Sequence, residues 1–324
     1  MYDSFARSLK AMFTSHWLYM AVRAACQLSL FDLITQGQNT IDRICTQLNA
    51  DPQAMRSLLT ALQEHQLLLH NQGEYALTLA GELLTETHPQ SLKQSCILWG
   101  GEHLQAWQQL SATLITGRSA FDLALGQPYF EQLQNQPDKL RIYHSAMREY
   151  ALTDYKHIAQ CFDFDRFDNI ADLGGGLGVL LYNLLDAYPM LQGILFDLPE
   201  VSALAKETPH PRASYHSGSF FEPLPFRADA IVLSRIIHDW PDPQAEIILQ
   251  NCHNAINPGG ILFLVEHSPS IGEPHLLSLN MMLMCGSCER SIDQYVHLMA
   301  ANGFEHSQTL RLNSLQVIIV AKKV

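Results

Sequence analysis

Residues 168–178 read Asp-Asn-Ile-Ala-Asp-Leu-Gly-Gly-Gly-Leu-Gly and join a predicted strand to a glycine-rich turn. A helix is predicted to follow the turn as far as about Tyr188. Three more apolar strands are predicted, and they end at Asp197, Ile237 and Val265. Alternating strands and helices are typical of a doubly wound, Rossmann-like α/β sheet, which binds ligands at the carboxyl ends of its strands. We assign this domain to residues 161–324.

The first 160 residues have helical apolar spacing instead. Helices are predicted over residues 17–34, 40–48 and 51–63, followed by a hairpin that turns at residues 71–73. Three helices and a hairpin describe a winged helix. Two longer helical regions follow, at roughly 90–115 and 128–160, and we interpret residues 117–126 as the connection between them.

Composition and charge limit the possible functions. Hydrophobic residues make up 47% of the 324 residues and charged residues 16%, so the chain can bury a large core. The formal net charge is -12. Within residues 38–85 only Arg43 and Arg56 are basic, against five acidic residues. A winged helix that binds DNA needs basic side chains facing the phosphates, so we expect no nucleic-acid partner.

No apolar run approaches the roughly 20 residues that a membrane-spanning helix needs, and we expect no membrane partner. The seven cysteines are an odd number scattered along a long chain, which favours reduced thiols and a cytoplasmic protein. Cys285 and Cys288 form a C-x-x-C pattern. Because zinc sites of this kind use a second ligand pair, we expect no bound metal.

The glycine turn predicts a cofactor site. Gly174, Gly176 and Gly178 lack Cβ atoms, so a ligand can approach the backbone closely, and Asp197 ends the next strand. A carboxylate there can accept hydrogen bonds from both hydroxyls of a ribose. The spacing indicates a nucleoside cofactor and leaves open whether it is a dinucleotide or S-adenosylmethionine (SAM).

A second group of residues predicts proton transfer. His238 follows an apolar strand at the ligand-binding edge of the sheet, Glu266 follows another strand, and Glu289 precedes the C-terminal helix. A carboxylate beside an imidazole fixes its tautomer and raises its pKa, so these residues are candidates for a supported general base.

Four motifs together carry a resemblance to a known family. They are Ala-Asp-Leu-Gly-Gly-Gly-Leu-Gly at 171–178, Phe-Asp-Leu-Pro at 196–199, His-Asp-Trp at 238–240 and Glu-Arg-Ser at 289–291. In this order they closely resemble the SAM-dependent O-methyltransferases of small molecules, which include caffeate-type and acetylserotonin-type enzymes and bacterial relatives acting on phenazines and polyketides. The resemblance extends over nearly the whole chain.

The resemblance implies roles for individual residues. The three glycines and Asp197 would hold SAM, and His238 would be the catalytic base with Glu266 and Glu289 as supporting carboxylates. Further cofactor contacts would come from Gly218, Ser219, Phe220, Arg235 and Trp240. Ser219 departs from the family pattern, in which an aspartate usually stands; a hydroxyl accepts a hydrogen bond more weakly than a carboxylate, so the resemblance leaves its contact with adenine open.

The family's substrate pocket implies acceptor contacts at Met147, Met281, Met282 and Cys285. The N-terminal winged helix would form a homodimer and complete part of the substrate pocket. The expected reaction moves a methyl group to a hydroxyl of a small aromatic or heteroaromatic secondary metabolite. N- or C-methylation, a SAM-assisted reaction without methyl transfer, and a ligand-sensing winged-helix regulator are the alternatives.

Overall fold

The computed structural model describes residues 2–271 and 275–324, and the chain divides into two compact units, residues 1–102 and 103–324. The sequence placed the domain boundary near residue 160 instead. Helices between 103 and 160 pack within the second unit, and one of them contacts two helices that flank the sheet. Their helical pattern resembles that of the first unit, so only the packing reveals where they belong.

The first unit contains six helices and one hairpin among its described residues. They are α1 (Tyr2–Gln27), α2 (Leu30–Thr35), α3 (Ile41–Leu48), α4 (Pro52–Glu64), β1 (Leu68–Asn71), β2 (Glu74–Leu77), α5 (Leu79–Glu82) and α6 (Lys93–Trp99). The predicted winged-helix order of three helices and a hairpin is present. The single helix predicted over residues 17–34 is wrong, because Ser29 adopts a left-handed backbone (φ 51°) that separates α1 from α2. Asp51 caps α4 by accepting a hydrogen bond from the Ala54 N–H at 2.8 Å.

One side of α1 is apolar and exposed. We call Tyr2, Phe5, Leu9, Met12, Phe13 and Trp17 the apolar face of α1; each is about half exposed or more. The successive spacings of three, four, three, one and four residues keep them on one side of the helix.

The second unit begins with short helices. They are α7 (Glu102–Trp107), which starts at the boundary, α8 (Leu110–Thr116), α9 (Ala120–Leu125), α10 (Tyr129–Gln134) and the long α11 (Pro137–Asp154). The prediction of a connecting loop over residues 117–126 is wrong, because α9 occupies most of it. Ser119 starts this helix as its N-cap and left-handed Gly126 ends it.

The remainder of the second unit is a seven-stranded sheet with helices. Its strands are β3 (Asn169–Leu173), β4 (Gln192–Asp197), β5 (Ala213–Ser217), β6 (Ala228–Ser234), β7 (Ile256–His267), β8 (Phe304–Arg311) and β9 (Gln316–Lys323). Its helices are α12 (Val179–Ala187), α13 (Pro199–Ala205), α14 (Asp242–Ala255), α15 (His275–Cys285) and α16 (Ile292–Ala301).

The strand order is β5-β4-β3-β6-β7-β9-β8, with the first five strands parallel and β9 antiparallel to both of its neighbours. This confirms the doubly wound sheet and its strands β3, β4, β6 and β7. The predicted end of β6 at Ile237 is wrong: the strand stops at Ser234, because Arg235 takes a left-handed backbone (φ 55°). A 3₁₀ turn, Ile237–Asp239, follows. No helix in the described part of the chain is long and apolar enough to span a bilayer.

Candidate active site

The glycine loop, residues 174–178, leaves the carboxyl end of β3 in a conformation that suits glycine. Gly174, Gly176 and Gly178 have φ values of 66°, 56° and 81°, which other residues adopt only at a cost. A Cβ on Gly174 would lie 2.4 Å from the Cδ1 atom of Ile236, so this position is also closed sterically. The loop therefore exposes backbone where a larger residue would fill the space.

Asp197 lies against this loop at the end of β4. Its Oδ2 accepts a hydrogen bond from the Gly176 N–H at 2.8 Å, and its Oδ1 accepts one from the Leu198 N–H at 2.7 Å. Burial raises the pKa of Asp197 to about 6, although these two N–H groups lower it. Each carboxylate oxygen keeps a second lone pair, so the side chain can still accept the hydroxyls of a ribose.

A second buried carboxyl lies beside the first. Burial, together with the charge of Asp197, raises the pKa of Asp172 to about 7. Its Oδ2 is buried and has no hydrogen-bond partner among the described residues. Two buried acids with raised pKa values next to an open glycine loop fit a ligand that carries positive charge and hydroxyl groups, as the adenosyl sulfonium of SAM does.

The segment after β5, residues 218–221, packs against the ring of Trp240. The Ser219 Oγ accepts a hydrogen bond from the Phe221 N–H at 3.2 Å, and the Phe220 carbonyl accepts one from Asn251 at 2.9 Å. The Trp240 ring packs edge-on to Phe221, with 4.8 Å between the ring centroids, and also edge-on to Phe220. Gly218, Ser219, Phe220 and Trp240 thus lie together, and their contact with adenine stays a prediction.

Arg235 follows β6 at the carboxyl edge of the sheet, but its side chain contacts α11 and Tyr155, the residue after α11. Its Nη2 donates to the Met147 carbonyl at 3.4 Å, its Nη1 lies 3.8 Å from the Asp154 carboxylate, and its guanidinium lies over the Tyr155 ring. These contacts occupy the guanidinium, and the predicted contact of Arg235 with the cofactor stays a prediction. Arg235 connects α11 to the strand that leads to His238.

His238 is buried and pairs with Glu289. The Nδ1 atom of the imidazole lies 2.7 Å from the Glu289 Oε1, and both residues are only 6% exposed. Because an ionised carboxylate only accepts hydrogen bonds, the Nδ1 carries the proton in this pair. Among the residues that the structure describes, the Nε2 atom has no hydrogen-bond partner, since its nearest carboxylate, Asp239, is 3.6 Å away. The neutral imidazole thus presents a free lone pair at Nε2.

Glu266 lies near His238 without a hydrogen bond to the imidazole, and its catalytic role stays a prediction. Its Oε2 is 3.9 Å from the Nδ1 of His238, which is too long for a hydrogen bond. Its Oε1 instead accepts the N–H groups of Ile236 and Ile237, at 3.2 and 2.8 Å. Burial raises the pKa of Glu266 to about 7, although the charge of His238 lowers it. The side chain therefore holds the backbone of the turn and adds negative charge.

The carboxylates change the basicity of His238. Burial by itself lowers the pKa of this imidazole, but the negative charges of Glu289, Asp239 and Glu266 outweigh that effect, and the pKa rises from 6.5 to about 10. The imidazole is thus a far stronger base than a histidine in water.

Three residues near His238 were not predicted as part of the site. Asp239 is buried beside it, and burial raises its pKa to about 6. His267 follows Glu266, its ring stacks on His238 with 6.1 Å between centroids, and burial lowers its pKa to about 4. Arg290 follows Glu289. Each adjoins a predicted residue in the sequence, and Asp239 and Arg290 also belong to the motifs at 238–240 and 289–291; these were the signals that could have found them.

His238, His267 and Glu289 each offer one potential metal ligand atom, and these atoms lie within 4.8 Å of one another. They form the one such group of three or more side chains in residues 2–271 and 275–324, and it does not include the C-x-x-C cysteines. The closest pair in it is the His238–Glu289 hydrogen bond. That hydrogen bond accounts for the closeness of the His238 and Glu289 atoms, and the expectation of no bound metal stays a prediction.

The predicted acceptor contacts lie on two helices. Met281, Met282 and Cys285 belong to α15, and Met147 belongs to α11. The Cys285 Sγ donates to the Asp239 Oδ1 at 3.8 Å, which brings this end of α15 to the residue next to His238. Met281 is buried, whereas Met282 and Met147 are half-buried. Cys285 thus contacts the 3₁₀ turn at Ile237–Asp239. The substrate role of all four residues stays a prediction.

Comparison with known proteins gives two family matches. Residues 107–305 match the O-methyltransferase domain, and residues 11–87 match the O-methyltransferase dimerisation domain. The chain is 29% identical to the phenazine O-methyltransferase PhzM of Lysobacter antibioticus, over 98% of this chain and 96% of that protein.

Two solved structures are similar to this fold. Human N-acetylserotonin methyltransferase in complex with SAM has a TM-score of 0.89 and 25% identity, and the alignment covers 98% of this chain and 97% of that one. An O-methyltransferase from neocarzinostatin biosynthesis, in complex with SAM and 2-hydroxy-5-methyl naphthoic acid, has a TM-score of 0.81 and 29% identity over 94% of this chain and 96% of that one.

Proposed function

Because the chain belongs to the O-methyltransferase family, we propose that it transfers the methyl group of SAM to a hydroxyl of a small aromatic molecule and that His238 is the general base. The observation that carries the role of His238 is its 2.7 Å hydrogen bond to Glu289 through Nδ1, which leaves Nε2 as a lone-pair acceptor. Similarity to a phenazine O-methyltransferase and to an O-methyltransferase in complex with a naphthoic acid supports an aromatic acceptor.

The glycine loop and the buried acids are the groups that would hold the cofactor. Asp197 would accept the ribose hydroxyls, and the left-handed glycines leave room for the methionine part of the molecule. When bound, SAM supplies an electrophilic methyl group and a neutral leaving group. The protein must then align the acceptor oxygen and take up its proton.

His238 takes that proton at Nε2. Glu289 holds Nδ1–H and stabilises the imidazolium that forms, so the proton stays on the base while the methyl group bonds to the oxygen. A phenol with a pKa near 10 would be about 3.5 pKa units, roughly 5 kcal/mol, too weak an acid for an ordinary histidine. With its pKa raised to about 10, His238 accepts the proton with little or no free-energy cost.

The high basicity also has a cost at neutral pH. With its pKa raised well above 7, the imidazole is mostly protonated at neutral pH and must lose that proton before it can act as a base. We therefore expect turnover to depend strongly on pH.

The proposed reaction is tested with SAM that carries a deuterated methyl group. Incubation with a panel of phenols, hydroxynaphthoates and hydroxyphenazines should yield at least one O-methylated product with the mass of the labelled group, identified by mass spectrometry and fragmentation. Label found on nitrogen or carbon would establish N- or C-methylation instead. An altered acceptor without label would indicate a SAM-assisted reaction.

We further propose that two copies of the chain associate through the apolar face of α1. The match of residues 11–87 to a dimerisation domain supports this assembly. Trp17 and Phe13 are 66% and 64% exposed in the single chain, which is unusual for large apolar side chains arranged in one stripe. Burial of this stripe against a second copy would remove it from water.

The dimer makes a direct prediction for analytical ultracentrifugation. The wild-type chain should sediment as a dimer, and the double variant Phe13→Lys/Trp17→Lys should sediment as a monomer, because two charges would have to be buried in the interface. Met190→Lys, at a side chain that is 80% exposed in the other unit, should leave the dimer intact. A wild-type monomer at micromolar concentration would contradict the proposal.

A further inference from the structure

Arg290 makes an unusual set of contacts around the turn that carries His238. Its Nη1 donates to the Ile237 carbonyl at 2.8 Å, and its Nη2 donates to the Trp240 carbonyl at 2.7 Å. These carbonyls stand immediately before His238 and two residues after it. One guanidinium therefore brackets the 3₁₀ turn from which the imidazole projects.

The same guanidinium is itself fixed. Its Nε and Nη2 donate to the Asp242 Oδ1 at 3.1 and 2.7 Å, and its charge lies 5.9 Å from the centre of the Tyr295 ring. The Arg290 side chain is only 8% exposed. A planar guanidinium with several donors in fixed geometry can make these contacts at once, whereas a single ammonium on a flexible stem cannot match them.

Glu266 accepts hydrogen bonds from backbone N–H groups at the start of the same turn. Its Oε1 accepts the N–H groups of Ile236 and Ile237, so one buried carboxylate binds the donors of the turn while Arg290 binds its acceptors. Glu289, the residue directly before Arg290, binds the imidazole ring itself. Two consecutive residues thus hold the same histidine, one through the ring and one through the backbone.

We infer that Arg290 is a positioning residue for the general base: it sets where the Nε2 of His238 lies through the two carbonyls that bracket it. The inference rests on the proposed function. A short 3₁₀ turn has few internal hydrogen bonds, so its shape depends on such external contacts. Because a displacement of about 1 Å at a reacting group can lower a rate about 100-fold, the contacts matter for catalysis beyond their contribution to folding.

The chain offers a matched control in Arg212. This arginine also donates to three backbone carbonyls, those of Tyr188, Leu191 and Leu185, in the same unit. Its contacts lie at the end of α12 and in the segment before β4, and they include no residue of the His238 turn. Loss of Arg212 should therefore reproduce the structural cost of losing a carbonyl-binding arginine without moving the base.

The test compares Arg290→Met and Arg290→Lys with Arg212→Met and Arg212→Lys. For each we would measure kcat for the methylated acceptor, the Kd for SAM by calorimetry, and Tm, each with and without millimolar guanidinium. We expect Arg290→Met to lower kcat about 10- to 100-fold, with a nearly unchanged SAM Kd and partial recovery of kcat in guanidinium. Arg290→Lys should lower kcat less than Arg290→Met does. Arg212→Met should lower Tm comparably but leave kcat unchanged and unresponsive to guanidinium.

The contrary outcomes are distinct. A wild-type protein that methylates while Arg290→Met keeps its kcat would overturn this inference alone. A fall in kcat matched by weaker SAM binding, or one that guanidinium does not reverse, would assign Arg290 a general structural role and overturn it as well. If Arg290→Met does not fold, Arg290→Lys decides by the same criteria. A wild-type protein with no methyl transfer would overturn the proposed function and this inference with it.

Discussion

The glycine loop and the His238 turn, residues 235–240, leave neighbouring parallel strands of one sheet, yet they are held in different ways. The loop obtains its shape mainly from its own backbone, with left-handed angles at three glycines within five residues, and the Asp197 side chain adds one hydrogen bond to the Gly176 N–H. The turn obtains its shape from side chains far along the chain, since Glu266 is 29 residues from Ile237 and Glu289 is 51 residues from His238.

This difference separates two tasks of the site. A surface built from backbone without Cβ atoms lets a large cofactor approach closely. A base built from buried side chains has a pKa and an orientation that its partners decide. The two regions also touch, because a Cβ at Gly174 would meet the side chain of Ile236. Variants that leave the contact between Gly174 and Ile236 undisturbed should therefore change either SAM binding or turnover, but not both.

The largest expected effect is the loss of the base. His238→Ala should lower kcat about 10²- to 10⁴-fold, because the acceptor's proton has no other well-placed base, while the Kd for SAM stays nearly constant. Turnover is measured by product formation, and affinity by calorimetry. His306→Ala, an exposed histidine on β8, is the control. Retained turnover in His238→Ala would remove this residue from the mechanism.

The next effect concerns the charge that Glu289 supplies. In the wild type, kcat should rise as the pH is raised from 7 toward the raised pKa of His238 and then level off, because the base is protonated below that pKa and must be neutral to act. Glu289→Gln removes one negative charge, so the pKa of His238 should fall and the midpoint of the profile should move to lower pH by about one to two units.

The same variant should lower the plateau of kcat about 10- to 100-fold, since a charge-assisted hydrogen bond to the imidazolium is lost. Asp239, Glu266 and the neutral His267 remain around the ring, so some elevation of the pKa should persist. Glu305→Gln on β8 is the charge-matched control. An unshifted midpoint would contradict the assignment of His238 as the titrating base.

The smallest effect is expected in the glycine loop. Gly176→Ala meets only the Nδ1 of His144, at 3.5 Å, so its cost is the left-handed backbone, about 1–2 kcal/mol. That cost should appear as a lower free energy of unfolding if the loop keeps its shape. If the free loop relaxes, it should appear as SAM binding weakened by up to about 5- to 30-fold.

In either case kcat at saturating SAM should stay close to that of the wild type, because the base is untouched. Gly126→Ala, with φ 77° and no neighbour within 4 Å, carries similar strain away from the loop and should leave SAM binding unchanged. A large loss of kcat in Gly176→Ala would show that the two regions do not act separately.

Local patterns were sufficient wherever one segment determines its own shape. Asp51-Pro52 predicted the start of α4, the glycine loop predicted the joint between β3 and α12, and the apolar runs predicted β4, β6 and β7. They failed where packing decides. Residues 103–160 have the same helical periodicity as the first unit but pack with the sheet, and β6 ends early because of the backbone angle of a single arginine.

For the site, the sequence by itself determined the residue types and their places at the strand ends, because strand order along the chain and alternation with helices bring those ends to one edge. Only the tertiary structure decided which carboxylate holds the imidazole, which holds the backbone, and that Arg290 brackets the turn. These roles depend on small differences in distance between residues separated by dozens of positions: the His238 Nδ1 lies 2.7 Å from a Glu289 oxygen and 3.9 Å from a Glu266 oxygen. Such distances are set by how the core packs, and no local pattern of residues encodes them.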